Sequence, residues 1–81
     1  MKIKYFAWVK DITNKDYEFI EDNFPKNIEE LKKILNNLHP GLKKHIYKDI
    51  LRYAVNMEYI SNNQILNPND EIAIFPPVSG G

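Results

Sequence analysis

Apolar and polar residues alternate near both ends of the chain, and between them one stretch repeats at helical spacing. In "KIKYFAWV" (2–9), Ile3, Tyr5, Ala7 and Val9 share one face, while Lys2, Lys4, Phe6 and Trp8 share the other. That period of two, with aromatic and β-branched residues, predicts a strand. "DITNKD" (11–16) is turn chemistry, and "YEFIE" (17–21) alternates again, so residues 2–21 read as a hairpin. "ILRYAVN" (50–56) puts Leu51, Tyr53 and Val55 on one face, "EYI" (58–60) reads as its short partner, and "EIAIF" (71–75) is the last strand. "SNN" and "NPND" are turns.

The helical stretch is "FPKNIEELKKILNNLHPG". Ile28, Leu31, Ile34, Leu35 and Leu38 form one apolar stripe. Asn27 is a good N-cap with Glu30 three residues on, and Pro40 cannot continue the helix, which places it over about 27–38. Residues 42–49 read as a loop or a single turn.

The order is therefore β-β-α-β-β-β, an α+β fold with a mixed sheet of four or five strands and one main helix packed on one face. The predicted core sets Ile3, Tyr5, Val9, Leu51, Tyr53, Val55, Ile72 and Ile74 against Leu31, Ile34, Leu35 and Leu38. The other face is left uncovered. Phe6, Trp8 and Phe75 then point outward and form a candidate partner-binding patch, since exposed aromatics commonly anchor interfaces.

Composition narrows the chemistry. Eleven basic and eleven acidic side chains cancel, which argues against nucleic acid or an anionic membrane as partner. The basic-aromatic group Lys43, Lys44, His45, Tyr47 and Lys48 reads as solvated surface. With no cysteine in the chain, disulfides, thiolate metal sites and a cysteine nucleophile are excluded. His39 and His45 are not spaced with carboxylates as a metal or catalytic set would be, so both are read as structural or surface residues. No apolar run approaches a membrane span, and the N-terminus lacks a signal-peptide pattern, so the expected location is cytoplasmic.

The remaining signal is the ending, "FPPVSGG". Pro76 and Pro77 impose an extended direction on the chain as it leaves the last strand. Val78 and Ser79 continue it, and Gly80 and Gly81 have no side chains, so their backbone enters spaces too narrow for other residues. The natural division is a folded unit over 1–75 and a flexible tail over 76–81. A stiff base with a bare tip suits delivery of a terminal carboxylate into another protein's active site.

Three segments, "IKYFAWVKDI", "AVN" (54–56) and "DEIAIFPPVSGG" (70–81), resemble the ubiquitin-like β-grasp sulfur carriers, and among them the small-subunit family of molybdopterin synthase. Lys10 departs from that pattern, where arginine is frequent; lysine keeps the charge but loses the bidentate fork. The resemblance implies a ubiquitin-like β-grasp fold and a carrier without catalytic side chains, metal site or bound cofactor. It implies that an E1-like enzyme uses ATP and magnesium to adenylate Gly81. A persulfide donor then leaves a thiocarboxylate there, and the tail (Pro76, Pro77, Val78, Ser79, Gly80) enters the large subunit. There the sulfur passes to cyclic pyranopterin monophosphate, making molybdopterin for the molybdenum cofactor. The competing readings are a thiamine-type carrier, a ubiquitin-like protein modifier, and a β-grasp interaction module whose tail is never activated.

Overall fold

A computed structural model of the protein describes residues 1–60 and 63–77. Along the chain come β1 (Lys2–Tyr5), α1 (Ala7–Thr13), β2 (Tyr17–Phe19), α2 (Ile28–Leu38), a 3₁₀ turn (Pro40–Leu42), α3 (Lys43–Tyr47), β3 (Arg52–Val55), β4 (Glu58–Ile60) and β5 (Glu71–Phe75). The strands form one five-stranded sheet in the order β2-β1-β5-β3-β4. The central pair, β1 and β5, is parallel, with Lys2 opposite Glu71 and Tyr5 opposite Ile74. Every other pairing is antiparallel. The chain thus brings its first and last strands together at the centre of the sheet and packs its helices on one face, a β-grasp arrangement.

The sheet's inward set is the one the alternation predicts. Ile3, Val9, Leu31, Leu35, Ile72 and Ile74 are fully buried, with Tyr5, Leu51, Tyr53 and Val55 nearly so. Leu42 and Ile46 complete the cluster from the segment read as a loop or a single turn. Burial at this level stabilises by roughly 1.5–3 kcal/mol per large aliphatic side chain. Leu35→Ala should therefore lower unfolding free energy by about 2–5 kcal/mol in chemical denaturation, the usual loss for a buried leucine with its residual cavity.

The structure corrects three expectations and decides a fourth. The first strand ends at Tyr5 rather than running to Val9, and Ala7–Thr13 is a helix. Val9 is buried either way, because a strand places it with Tyr5 and a helix places it with Thr13; over so short a run the two periods cannot be separated. What ends the strand is its neighbour: β5 stops before Pro76, and the last bond of the ladder runs from the Phe6 N–H to the Ile74 carbonyl (3.1 Å). Asn14 closes α1 in the left-handed region at φ 58°, its N–H donating to the Lys10 carbonyl. β1 and β2 do pair antiparallel, but through this helix instead of a tight hairpin turn.

Second, Leu38 belongs to the surface (47% exposed) and Ile34 is half-buried. The stripe rotates off the sheet in the last turn of α2. Third, of the loop or single turn expected over 42–49, the structure has the turn, a short helix α3 that follows a 3₁₀ turn at Pro40–Leu42. Gly41 is required there by close approach and not by a positive φ. A Cβ at this position would lie 2.9 Å from Ile12 Cγ2 on α1. Fourth, the capping box is displaced by one residue. Asn27 Oδ1 accepts from the Glu30 N–H (2.9 Å), while Glu30 Oε1 accepts from Lys26 rather than from Asn27.

Candidate functional site

The outward face of the sheet is assembled by register. Lys2 and Lys4 of β1 lie across from Phe19 and Tyr17 of β2. At the centre Ala54 lies across from Ala73, two small side chains between the aromatic positions of β2 and β4. Parallel pairing of β1 with β5 sets Phe6, one residue past the strand, beside Phe75. Phe6 is 43% exposed and Phe75 is half-buried. Phe75 meets Tyr59 of β4 edge-to-face with ring centroids 5.5 Å apart, an arrangement aromatic pairs prefer. Arg52, Tyr53, Tyr59, Ile60, Phe75 and Pro77 line a groove of about 430 Å³ that opens where the chain leaves β5.

Two of the three residues assigned to the patch, Phe6 and Phe75, therefore share this face. Trp8 does not lie on a strand at all. The helix at 7–13 turns it toward α3, where its ring lies 4.7 Å from that of His45. Tyr59, Tyr17 and Phe19, exposed by half or more, join the face and were missing from the sequence-based patch. Their signal was present in the alternation of "YEF" and "EYI". Pro76 and Pro77 stand at the root of the tail as expected. Val78, Ser79, Gly80 and Gly81 lie outside the described residues.

A second set of residues fixes the start of β5. Asp70 is 9% exposed, and its two carboxylate oxygens accept from Asn56 Nδ2 (2.9 Å) and from the Asn67 N–H (2.8 Å). Asn56 Oδ1 in turn accepts from the Glu71 N–H (3.0 Å). Asn56 and Met57 form the two-residue turn between β3 and β4, both at positive φ (51° and 71°), the geometry of a type I′ hairpin turn. The "AVN" and "DE" of the sequence are thus one connected unit. It registers β5, and with β5 the direction in which the tail departs.

Below the sheet, Tyr5 donates its hydroxyl hydrogen to Glu18 Oε2, and His39 Nε2 pairs with the same oxygen. Lys15 Nζ stands 3.7 Å from Glu18 Oε1. His39 thus meets a carboxylate distant in sequence, which spacing alone does not reveal. For Glu18, burial pushes the pKa up. Hydrogen bonds from His39 and Tyr5, with the charges of His39 and Lys15, outweigh that and hold it below its ordinary 4.5. For Tyr5, burial together with the hydrogen bond to Glu18 and its charge pushes the phenol well above its ordinary value. The network ties β1, β2 and the end of α2 together.

Because Glu18 has a depressed folded-state pKa, its stabilisation is fully present above the unfolded value. It is lost as pH falls through the folded one. Glu18→Gln should lower stability near neutral pH and flatten the acid limb of unfolding below about pH 4.5. Urea melts from pH 3 to pH 7 check this, and an unchanged acid limb would remove Glu18 from the account.

The surface pair Lys10–Asp16 (2.6 Å) occupies the place where the sequence departs to lysine. Both partners are more than half exposed, so it contributes little to stability. Among the described residues there is no cluster of histidine and carboxylate side chains able to hold a metal ion, and no helix long and apolar enough to cross a membrane.

Comparison with known proteins meets this geometry. Residues 3–81 match the ThiS family. The chain belongs to the ThiS family. Among relatives of this ThiS-family chain, the molybdopterin synthase sulfur carrier subunit of Dictyostelium discoideum is 42% identical, covering 99% of this chain and 94% of that protein. The Homo sapiens protein of the same name is 35% identical, covering 100% and 93%. A solved protein–protein complex of subunits 1 and 2 of the molybdopterin-converting factor from Helicobacter pylori contains a chain of the same fold. Its TM-score is 0.69 at 30% identity, covering 99% of this chain and 96% of that one. The ThiS-family match runs through the final Gly-Gly, so the tail is part of what is shared.

Proposed function

We propose that this chain is the sulfur-carrying small subunit of a molybdopterin synthase, with Gly81 as the atom-bearing end and the aromatic face as the docking surface. The observation that carries the reading is a juxtaposition. A β5 strand registered by the Asn56–Asp70 unit leads into Pro76 and Pro77 at the mouth of an aromatic groove, in a chain whose 42%-identical relative is a sulfur carrier subunit of that synthase.

The chemistry follows from the tail. The Gly81 carboxylate attacks the α-phosphorus of ATP in an E1-like enzyme, which supplies the magnesium, and pyrophosphate leaves. The acyl adenylate is a far better electrophile than a carboxylate. The terminal sulfur of a persulfide donor displaces AMP, and a thiol then cleaves the resulting acyl disulfide to leave the Gly81 thiocarboxylate and a disulfide. The tail enters the large subunit, the thiocarboxylate sulfur attacks a side-chain carbon of cyclic pyranopterin monophosphate as a carbon–oxygen bond there breaks, and water cleaves the resulting thioester to restore the carboxylate; a second loaded carrier supplies the second sulfur of the dithiolene. This chain contributes binding and the sulfur-bearing carboxylate and no catalytic side chain. The folded unit spans 1–75, the tail 76–81, and the work takes place in the cytoplasm.

The test is reconstitution. Activated chain, the large subunit and cyclic pyranopterin monophosphate should yield molybdopterin, with the carrier consumed in proportion to product. Adducts to protein lysines in place of molybdopterin would favour a modifier instead. Neither product would leave an interaction module.

A further inference from the structure

Arg52 is the only arginine in the chain, and it sits on the outward face directly across the ladder from Phe75. It lines the same groove as Tyr59 and Pro77. Its Nη1 donates to the carbonyls of Asp49 (3.0 Å), Ile50 (3.3 Å) and Leu51 (3.2 Å). Those bonds hold one arm of the guanidinium at the end of the sheet. Nε and Nη2 make no hydrogen bond to the described residues, and no described carboxylate lies within 4 Å of the group.

The two lysines at the centre of this face are placed differently. Lys4 pairs with Glu71 at 3.2 Å, and Lys2 lies over the Tyr17 ring, 4.7 Å from its centroid. Arg52 is thus a permanent charge with an oriented, unspent donor edge, set among aromatic side chains at the root of the tail. A partner that covers this groove must desolvate it. Covering a guanidinium with apolar surface alone opposes binding strongly, whereas a carboxylate matches its remaining fork.

We propose that the docking surface of the large subunit presents a carboxylate side chain to Arg52, and that this ion pair is a specificity determinant of the interface. The inference rests on the reading of the chain as a synthase small subunit. The aromatic residues then supply contact area, and Arg52 selects among partners that offer a similar apolar ridge.

Calorimetric titration of the large subunit with Arg52→Glu, Arg52→Leu, Arg52→Lys and Phe75→Asp separates the possibilities. Arg52→Glu should weaken binding by roughly 30-fold or more, as expected for reversal of a desolvated charge pair. Arg52→Leu should weaken it less and should flatten the dependence of affinity on salt. Arg52→Lys should recover part of the loss, because it keeps the charge without the fork. Thermal melts establish that each variant is folded, and the lysine variant carries the test if the leucine variant is not. Wild-type affinity and salt dependence in Arg52→Leu, with Phe75→Asp still impaired, would overturn the ion pair and leave the synthase reading standing. Wild-type affinity in Phe75→Asp as well would show that the large subunit docks elsewhere and would end the ion pair together with this docking face, whereas failure of the wild-type chain to bind the large subunit would count against the synthase reading itself.

Discussion

Deleting Gly81 should reduce sulfur transfer to near background while leaving the melting temperature unchanged. The deletion shortens the reach of the tail by ~3.5 Å. Misplacement of a reacting atom by ~1 Å can cost a hundredfold in rate, so Gly80 left as the terminal residue cannot substitute. Adding one residue after Gly81 should be equally damaging, because it displaces the reactive carbonyl by the same amount. Gly80→Ala is the finer change. A single methyl narrows the backbone's options and adds width, slowing activation or transfer where the tail passes through a tight channel. Stability is untouched by all three, since the buried cluster ends with Ile74. Molybdopterin formed per carrier, measured beside a thermal melt, checks both halves.

Replacing Phe75 with aspartate should abolish binding to the large subunit in a protein that still folds. Phe75 faces outward from β5 while its neighbours Ile72 and Ile74 fill the core. Its ring spans the groove between Tyr59 and the tail's root. Truncation of a buried aromatic anchor typically costs about 2 kcal/mol or more, and the aspartate, directly across the ladder from Arg52, replaces the ring with a charge and engages that guanidinium from within the chain. Trp8 provides the contrast. It lies against His45 on α3, so Trp8→Ala should leave affinity close to that of the wild type. Unchanged binding by Phe75→Asp, with a native circular dichroism spectrum, would move the interface off this face.

The core and the sheet's inner face were legible because alternation and the α2 stripe both point at one layer. Ile3, Tyr5, Leu51, Ile72 and Ile74 are assigned by period alone. α1 was not legible. "YFAWV" has strand composition, and only the length of β5 and the pairing of Phe6 with Ile74 decide where β1 stops. That one boundary moved Trp8 from the sheet face to a helix. α3 stayed open between a loop and a single turn for a similar reason: five residues, Lys43–Tyr47, carry too little periodicity to decide. The candidate docking face was half legible. Phe6 and Phe75 follow from the end strands, whereas Tyr59, Tyr17, Phe19 and Arg52 gather there only through strand order. The Glu18–His39 and Asn56–Asp70 contacts join residues 21 and 14 positions apart, and no local pattern announces them. The chemistry expected of the tail, by contrast, rests on six residues and a resemblance.

The most direct measurement is the intact mass of the protein after incubation with an E1-like activating enzyme, magnesium-ATP and a persulfide donor, followed by fragmentation. The account predicts one sulfur-for-oxygen increment, confined to the fragment containing Gly81, dependent on ATP and erased on reaction with the large subunit and cyclic pyranopterin monophosphate. A protein that stays at its unmodified mass under those conditions, or gains sulfur anywhere but at Gly81, would contradict it.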